Sequence, residues 1–409
     1  MSSSEFPILR TPARGIPELT DSAKKLQRNW KAFVCGSGPL AVDAERAQSF
    51  RYTAKAYLVQ LRRGDGPTML LDPLPFEKDG NLADFSALSE DMEDVEWVIH
   101  AAGNDLQCLF EIGLKPGKLF DTELAGRLLG IEKVNISALM EQYLGIGLAK
   151  GHAAENWSIR PLPQSWRNYA ALDVERLSDL RDALEADLIK HNRLDIAQAE
   201  FEHTLTRGAA APKPQTDPWR HTGNIHLVRS RRGMAIVREL WNVRDEMARQ
   251  TDTAPCKIIT DKAISAIAAE CSDQRRVSKI MLSRIPEVKR RQALAHLDVW
   301  AQAVNKALAI PASELPPRTK PKNGFEHQWK WKNSYPQLHA RYQRIKADLV
   351  SLSERIQIPY ENLCEPVGLR QLLWDYREGG AAEAVEHIGE YDLRQWQCEL
   401  SAPVISADW

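Results

Sequence analysis

The chain has 409 residues, a length that favours two or three domains over a single hydrophobic core. Hydrophobic residues make up 43% of the chain and charged residues 27%, which is typical of a folded globular protein and excludes extensive disorder. Because the formal net charge is −1, affinity for a polyanion would have to come from local clusters of basic residues.

The cysteines and the N-terminal segment bear on the cellular compartment. The six cysteines are scattered, without a C-x-x-C pair or the Cys/His spacing of a zinc finger, which predicts reduced thiols. The N-terminal sequence MSSSEFPILRTPARG lacks the apolar run of a signal peptide, and no stretch approaches the ~18 apolar residues of a membrane span. We therefore expect a cytoplasmic protein without a membrane partner.

The first half of the chain alternates strand and helix patterns. The predicted strands begin at Leu40, Ala56, Met69, Glu96 and Leu119. The first three follow one another closely, which predicts an antiparallel meander. Helical patterns lie between and after the later strands, and the last of them runs from about residue 164 to 189. These patterns predict a mixed α/β domain over residues 22–205.

Two Pro-rich segments divide the second half of the chain. Residues 206–221 have the small, polar composition of a linker, and residues 311–321 form a second break. Apolar residues at helical spacing then predict two all-α domains, over residues 222–310 and 325–409. Asp261 is predicted to be the N-cap of one of the helices.

Two acidic residues stand two apart in the first predicted strand, in Val42-Asp43-Ala44-Glu45. Because side chains alternate along a strand, Asp43 and Glu45 lie on one face. Burying two acids is costly unless something compensates their charge, and a divalent cation would do so. For this motif alone, a solvated strand face is the simpler interpretation.

Three further residues bear on the same chemistry. Tyr169 and Asp173 are four residues apart in a predicted helix, so their side chains share a face. In isolation, a tyrosine packed on the core beside a surface aspartate is the favoured interpretation. Asp105 follows a strand and opens a helix, where an acid also suits the helix N-terminus in a purely structural role.

The order of these residues resembles the DEDD exonucleases in their tyrosine form, and other motifs resemble the ribonuclease D family. Those motifs are Leu119-Phe120-Asp121-Thr122, Tyr143-Leu-Gly-Ile, Trp157-Ser-Ile-Arg160-Pro161-Leu162 and Tyr169-Ala-Ala-Leu-Asp173-Val. The resemblance covers about residues 22–205. It implies a ribonuclease H-like α/β exonuclease domain with a mixed sheet, and the activity of a 3′→5′ exoribonuclease.

By this resemblance, Asp43, Glu45, Asp105 and Asp173 match four metal-binding acids, and Tyr169 matches the residue that positions the attacking water. Two Mg²⁺ or Mn²⁺ ions about 4 Å apart can hold the water and stabilise the leaving 3′ oxygen. Four carboxylates roughly balance the charge of two such ions. A tyrosine with an ordinary pKa near 10 is a poor general base, so we expect Tyr169 to orient the water by hydrogen bonding.

Other residues of the resembling motifs have either a structural or a substrate-binding interpretation. Asp121, directly before Thr122, is predicted to be a structural N-cap. Lys150 matches a family lysine that would contact the scissile phosphate, with a simple surface lysine as the alternative. The family's acid before the tryptophan is Asn156 here, which puts in doubt a salt bridge around Arg160. Arg160 would itself contact a phosphate or brace its loop.

The helical half resembles HRDC domains, small helical modules found in ribonuclease D and in some helicases. The resemblance rests on residues 232–246 and on the turn at Asp261. The matching domain order implies that residues 325–409 form a second HRDC-like domain. Because no G-x-x-x-x-G-K-[ST] motif occurs, we expect no nucleotide cofactor.

Residues 318–346 contain eight basic residues, one acidic residue and five aromatic residues. Cations for the backbone and aromatic faces for the bases are features of single-strand binding. The alternative is that the aromatic residues form a helical core and the charges a solvated face. A smaller basic patch at Arg229, Arg231 and Arg232 has the same ambiguity. The candidate RNA-binding residues are Lys150, Arg160, Trp329, Lys330, Trp331 and Lys332.

The expected substrate is RNA with a free single-stranded 3′ end, hydrolysed to 5′-monophosphates, and the family resemblance makes tRNA precursors the leading candidate. Two alternatives remain. The same acids would act on DNA, because they do not contact the 2′-hydroxyl that distinguishes RNA. The chain would otherwise be a non-catalytic RNA-binding scaffold that keeps the fold.

Overall fold

The computed structural model describes residues 6–149, 151–210, 215–319 and 328–409. The described residues form an α/β region up to residue 210, a first helical region over residues 215–319 and a second helical region over residues 328–409. Each region has its own hydrophobic core. The predicted fold class, an α/β domain with a mixed sheet followed by all-α domains, is confirmed. No helix in the described part of the chain is both long and apolar enough to cross a membrane.

The described α/β region contains eight strands and eight α-helices. The strands are β1 (Ile8–Leu9), β2 (Leu19–Thr20), β3 (Leu40–Arg46), β4 (Ala56–Arg63), β5 (Met69–Leu71), β6 (Glu96–Ile99), β7 (Lys118–Asp121) and β8 (Gly147–Leu148). The helices are α1 (Ala23–Val34), α2 (Ser86–Glu90), α3 (Leu106–Glu111), α4 (Thr122–Leu128), α5 (Ile136–Leu144), α6 (Gln164–Glu175), α7 (Leu177–Lys190) and α8 (Leu194–Ala209).

The main sheet has the strand order β2-β5-β4-β3-β6-β7. Strands β3, β4 and β5 are antiparallel neighbours, which confirms the predicted meander. On its other side β3 pairs in parallel with β6, and β6 pairs in parallel with β7. Strand β3 is therefore interior to the sheet, and its first three residues, Leu40, Ala41 and Val42, are fully buried.

The long helix predicted from residue 164 to 189 is broken in the structure. Arg176 leaves the helical conformation between α6 and α7, with φ −123° and ψ 17°. Just before the break, the buried Glu175 pairs with Arg62 at 3.3 Å and accepts a hydrogen bond from the backbone N–H of Ala13. The break lets α6 pack against β3, β4 and β5 while α7 packs against α4, α5 and β6. The apolar periodicity predicted helical structure over this range but one continuous helix, which the structure corrects to two.

The first helical region contains α9 (Arg231–Thr251), α10 (Pro255–Ile258), α11 (Asp261–Cys271), α12 (Lys279–Ser283), α13 (Arg291–Ala295) and α14 (Leu297–Ala309). The second contains α15 (Gln328–Ser334), α16 (Pro336–Ile356), α17 (Tyr360–Leu363), α18 (Pro366–Asp375), α19 (Ala381–Glu386) and α20 (Gln395–Ala407). Six short 3₁₀ helices complete the described elements: Leu74–Phe76, Ala102–Asn104, Pro218–His221, Ile225–Leu227, Ala312–Glu314 and Ile388–Tyr391.

Both helical regions contain a long helix of 21 residues, then a helix of 4 residues, then a third helix. This succession agrees with two related modules. The prediction that Asp261 caps α11 was wrong by one residue. Thr260 is the N-cap and accepts from the N–H of Ala263, whereas Asp261 pairs with the buried Arg244 at 2.5 Å.

The predicted linker at residues 206–221 is only partly irregular. Helix α8 continues to Ala209, and a 3₁₀ helix from Pro218 places Trp219 in the core of the first helical region. Residues 211–214 lie outside the described residues. The domain limits drawn from the sequence therefore remain predictions, with helical structure at both ends of the proposed linker.

Each helical region contacts the α/β region through polar groups. The Tyr52 hydroxyl donates to Asp245 at 3.1 Å, and the backbone N–H of Thr53 donates to Asp252 at 3.0 Å. On the second helical region, the Arg394 guanidinium contacts both carboxylate oxygens of Glu200, at 2.6 and 2.8 Å. The α/β region thus contacts one helical region through the loop after β3 and the other through α8.

The aromatic residues predicted to stack on RNA belong, where they are described, to the core of the second helical region. Trp331 is fully buried, stacked on Trp374 at 6.0 Å and edge-on to Tyr342 at 5.9 Å. The prediction that Trp331 binds RNA is therefore wrong, because its ring has no face open to a base. The alternative of a helical core with aromatic residues is the one that the structure shows.

The remaining basic candidates have different outcomes. Lys332 is exposed and Lys330 is half-buried, and their RNA contact stays a prediction. The side chain of Trp329 and all of residues 320–327 lie outside the described residues. In the smaller patch, Arg232 donates to the carbonyl oxygens of Ala307 and Ile310 at the end of α14, so this arginine has a structural role.

The substitution Trp331→Ala tests the core assignment. It should lower the free energy of unfolding of the second helical region by ~3–5 kcal/mol, because a buried ring is replaced by a cavity. Denaturant unfolding measures this change, with the exposed neighbour Lys332→Ala as the control, for which we expect a change within about 0.5 kcal/mol. Unchanged stability together with weaker RNA binding would instead make Trp331 a stacking surface.

Candidate active site

Strand β3 carries the first two acids into the interior of the protein. Asp43 pairs in register with Gln60 of β4, and Glu45 pairs with Leu58. Both side chains leave the strand on the same face, as the alternation predicted. Glu45 is 8% exposed, so its carboxylate has little contact with water.

Asp105 reaches the same place from the neighbouring strand. Strand β6 runs parallel to β3 and ends at Ile99, after which Ala101 adopts a left-handed conformation with φ 57°. A 3₁₀ turn then leads to Asp105, directly before α3 and beside the carboxyl end of β3. The side chain of Asp105 makes no capping hydrogen bond to α3, so the purely structural interpretation lacks its expected contact.

Asp121 stabilises the turn that precedes Asp105. Its buried carboxylate accepts from the backbone N–H groups of Ala101 and Ala102, at 3.0 and 2.8 Å. It also accepts from the N–H groups of Glu123 and Leu124, at 2.9 and 3.1 Å, and so caps α4. The predicted N-cap is confirmed, and the same side chain also fixes the approach of a second chain segment.

Helix α6 brings Tyr169 and Asp173 onto the acidic face of β3. Carboxylate oxygens of Asp43, Glu45 and Asp173 all lie within 4.8 Å of one another. Tyr169 lies one helical turn from Asp173 on α6, and the negative charge of Asp173 is one of the causes that raise the pKa of the phenol, after burial. The structure therefore brings together three of the four predicted acids and the tyrosine, and places Asp105 next to them.

Within the described residues, the charges of these acids are only partly compensated, by Arg46. Burial raises the pKa of Asp43 to about 6 and that of Asp105 to about 8. Burial, followed by repulsion from the neighbouring acids, raises the pKa of Glu45 to about 10. The pKa of Asp173 is also raised well above its ordinary value by burial and by Asp43. A cluster of buried oxygen ligands with excess negative charge fits a hard divalent cation.

Arg46 is a charged neighbour that the sequence did not single out. Arg46 is the last residue of β3, and the register of β3 with β4 shifts there because Tyr57 of β4 is left without a partner in β3. Nη2 of Arg46 lies 3.3 Å from Oδ1 of Asp105. No sequence pattern indicated this contact, because Asp105 lies on another segment of the chain.

A polar cavity of about 170 Å³ opens beside Glu45, between the end of β3 and residues 153–155. Its wall on the β3 side includes Arg46, Gln48, Ser49 and Phe50. We refer to this cavity as the cleft. Lys150, predicted to contact the scissile phosphate, lies outside the described residues. The next segment contains His152, whose ring centroid is 6.0 Å from that of Tyr169, a neighbour that the sequence analysis did not identify.

Arg160 holds its own loop in place, so the prediction that Arg160 binds RNA is wrong. Its guanidinium donates to both carboxylate oxygens of Asp72, at 2.6 and 2.7 Å, and to the carbonyl oxygens of Tyr57, Trp157 and Ile159. All five of its N–H donors are used, so none is left for a phosphate. The salt bridge that Asn156 put in doubt is present, with Asp72 as the acid.

Comparisons with known protein families match three parts of the chain. The family described as 3′-5′ exonuclease matches residues 18–189, the HRDC domain family matches residues 234–304, and the family described as 3′ to 5′ exonuclease C-terminal domain matches residues 324–408. Ribonuclease D of Pseudomonas paraeruginosa is 30% identical over 285 residues, which are 68% of this chain and 71% of that protein.

Two solved structures are also similar. A protein from Bifidobacterium adolescentis is 33% identical, with a TM-score of 0.87 over 99% of both chains. Escherichia coli RNase D, described as an exoribonuclease involved in structured RNA processing, is 22% identical, with a TM-score of 0.65 over 88% of this chain and 91% of that chain. At 22% identity, the similarity to Escherichia coli RNase D supports the fold alone.

Divalent metal binding tests the geometry independently of any activity. The substitution Asp173→Asn should weaken Mn²⁺ binding by about tenfold or more, because one charged oxygen ligand of the cluster is lost while its volume is kept. Isothermal titration calorimetry measures the dissociation constant, and Asp195→Asn, an exposed acid on α8, is the control. Equal affinities in both variants would show that the cluster does not bind the ion.

Proposed function

The chain belongs to the ribonuclease D family, and we propose that, as a 3′→5′ exoribonuclease, it uses divalent metal ions to release 5′-monophosphates one at a time. The observation that carries the proposal is the convergence of Asp43, Glu45 and Asp173 within 4.8 Å beside Asp105, at the end of a polar cleft. The family carries out 3′→5′ exonucleolytic hydrolysis, and these acids, of which Glu45 and Asp105 are buried, supply the oxygen ligands that metal-assisted hydrolysis requires.

The four acids would hold the metal ions. Asp43, Glu45, Asp105 and Asp173 offer oxygen ligands and roughly balance the charge of two Mg²⁺ or Mn²⁺ ions. When bound, such ions lower the pKa of a water molecule and stabilise the negative charge that develops on the leaving oxygen. The raised pKa values of Glu45 and Asp105 support this assignment, because they reflect burial and the repulsion between neighbouring acids.

Tyr169 would position the attacking water. Burial, followed by repulsion from Asp173, Glu45 and Asp43, raises the pKa of Tyr169 further above its ordinary value. The phenol therefore stays protonated at neutral pH and acts as a hydrogen-bond donor rather than as a base. Its position one turn from Asp173 on α6 places this donor beside the acids.

The proposed substrate is RNA with a free single-stranded 3′ end, with tRNA precursors as the leading candidate. The names of the relatives support RNA over DNA. The proposed domains are the exonuclease domain at residues 22–205, the linker at 206–221, the HRDC domain at 222–310 and a second HRDC-like domain at 325–409. The matched families support this order.

A time course with 5′-labelled single-stranded RNA and matched DNA tests the proposed reaction, with Mg²⁺, with Mn²⁺ and with EDTA. The expected result is a metal-dependent ladder that shortens from the 3′ end, with faster shortening of RNA. Equal rates on both substrates would favour a general 3′→5′ exonuclease. Binding without cleavage under either metal would favour the non-catalytic scaffold.

The substitution Asp43→Asn should lower kcat by about a thousandfold or more, which corresponds to ~4 kcal/mol of transition-state stabilisation. RNA binding measured in EDTA should change little, because the substitution leaves the surface away from the cleft unaltered. Rates under single-turnover conditions measure the effect. Asp195→Asn is again the control, and comparable activity in Asp43→Asn would contradict the assignment of this acid.

The substitution Tyr169→Phe should lower kcat by about ten- to a hundredfold, the loss expected for one hydrogen bond in a charged site. Mn²⁺ affinity should stay within about twofold, because the phenol is not a metal ligand in this proposal. Calorimetry and single-turnover kinetics on the same protein separate the two effects. If Mn²⁺ affinity fell by as much as kcat, the role of Tyr169 would be to position Asp173 rather than to position the water.

A further inference from the structure

The first helical region carries an exposed basic segment that the sequence analysis did not identify. Residues 275–291 contain seven basic residues and one acidic residue. They run from the end of the loop after α11 through α12 to the start of α13. The basic residues, all exposed, are Arg275, Arg276, Lys279, Arg284, Lys289, Arg290 and Arg291. We refer to this segment as the basic segment.

The charges of the basic segment are mostly uncompensated. Within the described part of the chain, Lys279 is its single basic residue with an acidic partner within 4.0 Å, and that partner is Asp298. The one acid of the segment, Glu287, pairs with Lys262 outside it. Six exposed cations close in sequence therefore repel one another, and a polyanion bound there would relieve this repulsion.

The C-terminal end of the basic segment lies near the cleft. Arg290 donates to the carbonyl oxygen of Cys256 at 3.0 Å. The next residue, Lys257, is exposed and places its ammonium 4.9 Å from the ring centroid of Phe50. Phe50 lines the cleft beside Glu45 and also accepts from the backbone N–H of Ala254 at 3.1 Å. Cations thus follow one another from the mouth of the cleft onto the first helical region.

The composition of the segment indicates what it binds. It contains arginine and lysine but no aromatic residue, so it offers ligands for phosphates and no platform for stacked bases. Guanidinium groups bind phosphate oxygens in a bidentate manner whatever the base sequence. Because hydrolysis takes place at the 3′ end in the cleft, a strand leaving the cleft presents its upstream phosphates to these cations.

We propose that Lys257 and the basic segment, above all Lys289, Arg290 and Arg291, bind the phosphate backbone of the RNA upstream of the 3′ end that is held in the cleft. This inference rests on the proposed function and adds the path that the RNA follows after it leaves the cleft. It assigns RNA affinity in the helical half to the first helical region, in place of the buried aromatic residues of the second.

The test reverses three of these charges in the full-length protein. The variant Lys289→Glu/Arg290→Glu/Arg291→Glu is compared with Lys24→Glu/Arg28→Glu/Lys31→Glu. The control alters three exposed residues of α1, beside the edge strand β2, and changes the net charge by the same amount. Dissociation constants for a 20-nucleotide RNA are measured in EDTA over a range of salt concentrations, and kcat/KM is measured for that RNA and for a diribonucleotide.

The expected result is a dissociation constant for the long RNA that rises on the order of tenfold or more, with a salt slope reduced by about 2. The kcat/KM for the long RNA should fall in proportion, while that for the diribonucleotide, which is too short to leave the cleft, stays within about twofold. The variant with glutamine at the same three positions should show an intermediate effect, and unchanged thermal melting excludes a folding defect.

Three outcomes would overturn the inference. Unchanged binding of the long RNA would show that the segment does not contact it. Equal losses in the α1 control would assign the effect to net charge. Equal losses on both substrates would place the defect in the cleft. Failure of the unaltered protein to cleave either substrate would count against the proposed function alone, because binding in EDTA still tests the path.

Discussion

The mutual repulsion of buried carboxylates is the constraint on which the site depends. Glu45 and Asp105 are at most 8% exposed, and the pKa of each is raised because its charge has neither water nor a protein cation of sufficient strength around it. Arg46 supplies one positive charge, at Asp105. Keeping all of these acids ionised in the folded protein is costly unless a cation binds, and that is the reason for interpreting the cluster as a metal site.

Because the acids repel one another, each has to be held by packing elsewhere in the fold. Strand β3 holds Asp43 and Glu45 through its two neighbouring strands, and Asp121 fixes the turn before Asp105 by accepting from the N–H groups of Ala101 and Ala102. Glu175 with Arg62 anchors the end of α6, and Arg160 with Asp72 anchors the loop that precedes α6. Buried pairs of this kind contribute little net stability but fix position. These polar contacts therefore fix the positions of the segments that carry the acids.

The sequence predicted those parts of the site that follow from local periodicity. Alternation in β3 placed Asp43 and Glu45 on one face, and helical spacing placed Tyr169 beside Asp173. The position of Asp105 required the family resemblance, since no periodicity links it to β3. Arg46 was missed because no local pattern links it to Asp105, which lies on another segment of the chain. Trp331 was misassigned because burial, and not composition, separates a core aromatic residue from a stacking surface. The basic segment at residues 275–291 was overlooked for a related reason: its significance lies in its exposure and in the contact of Arg290 with Cys256, next to Lys257 near the cleft.

Crystallography of the full chain with Mn²⁺ would show whether the four acids bind divalent metal ions. Anomalous scattering locates Mn²⁺ independently of any assay. We expect anomalous peaks among the carboxylates of Asp43, Glu45, Asp105 and Asp173, at oxygen–metal distances of roughly 2 Å. Peaks elsewhere, with these carboxylates free of metal at saturating Mn²⁺, would contradict this expectation.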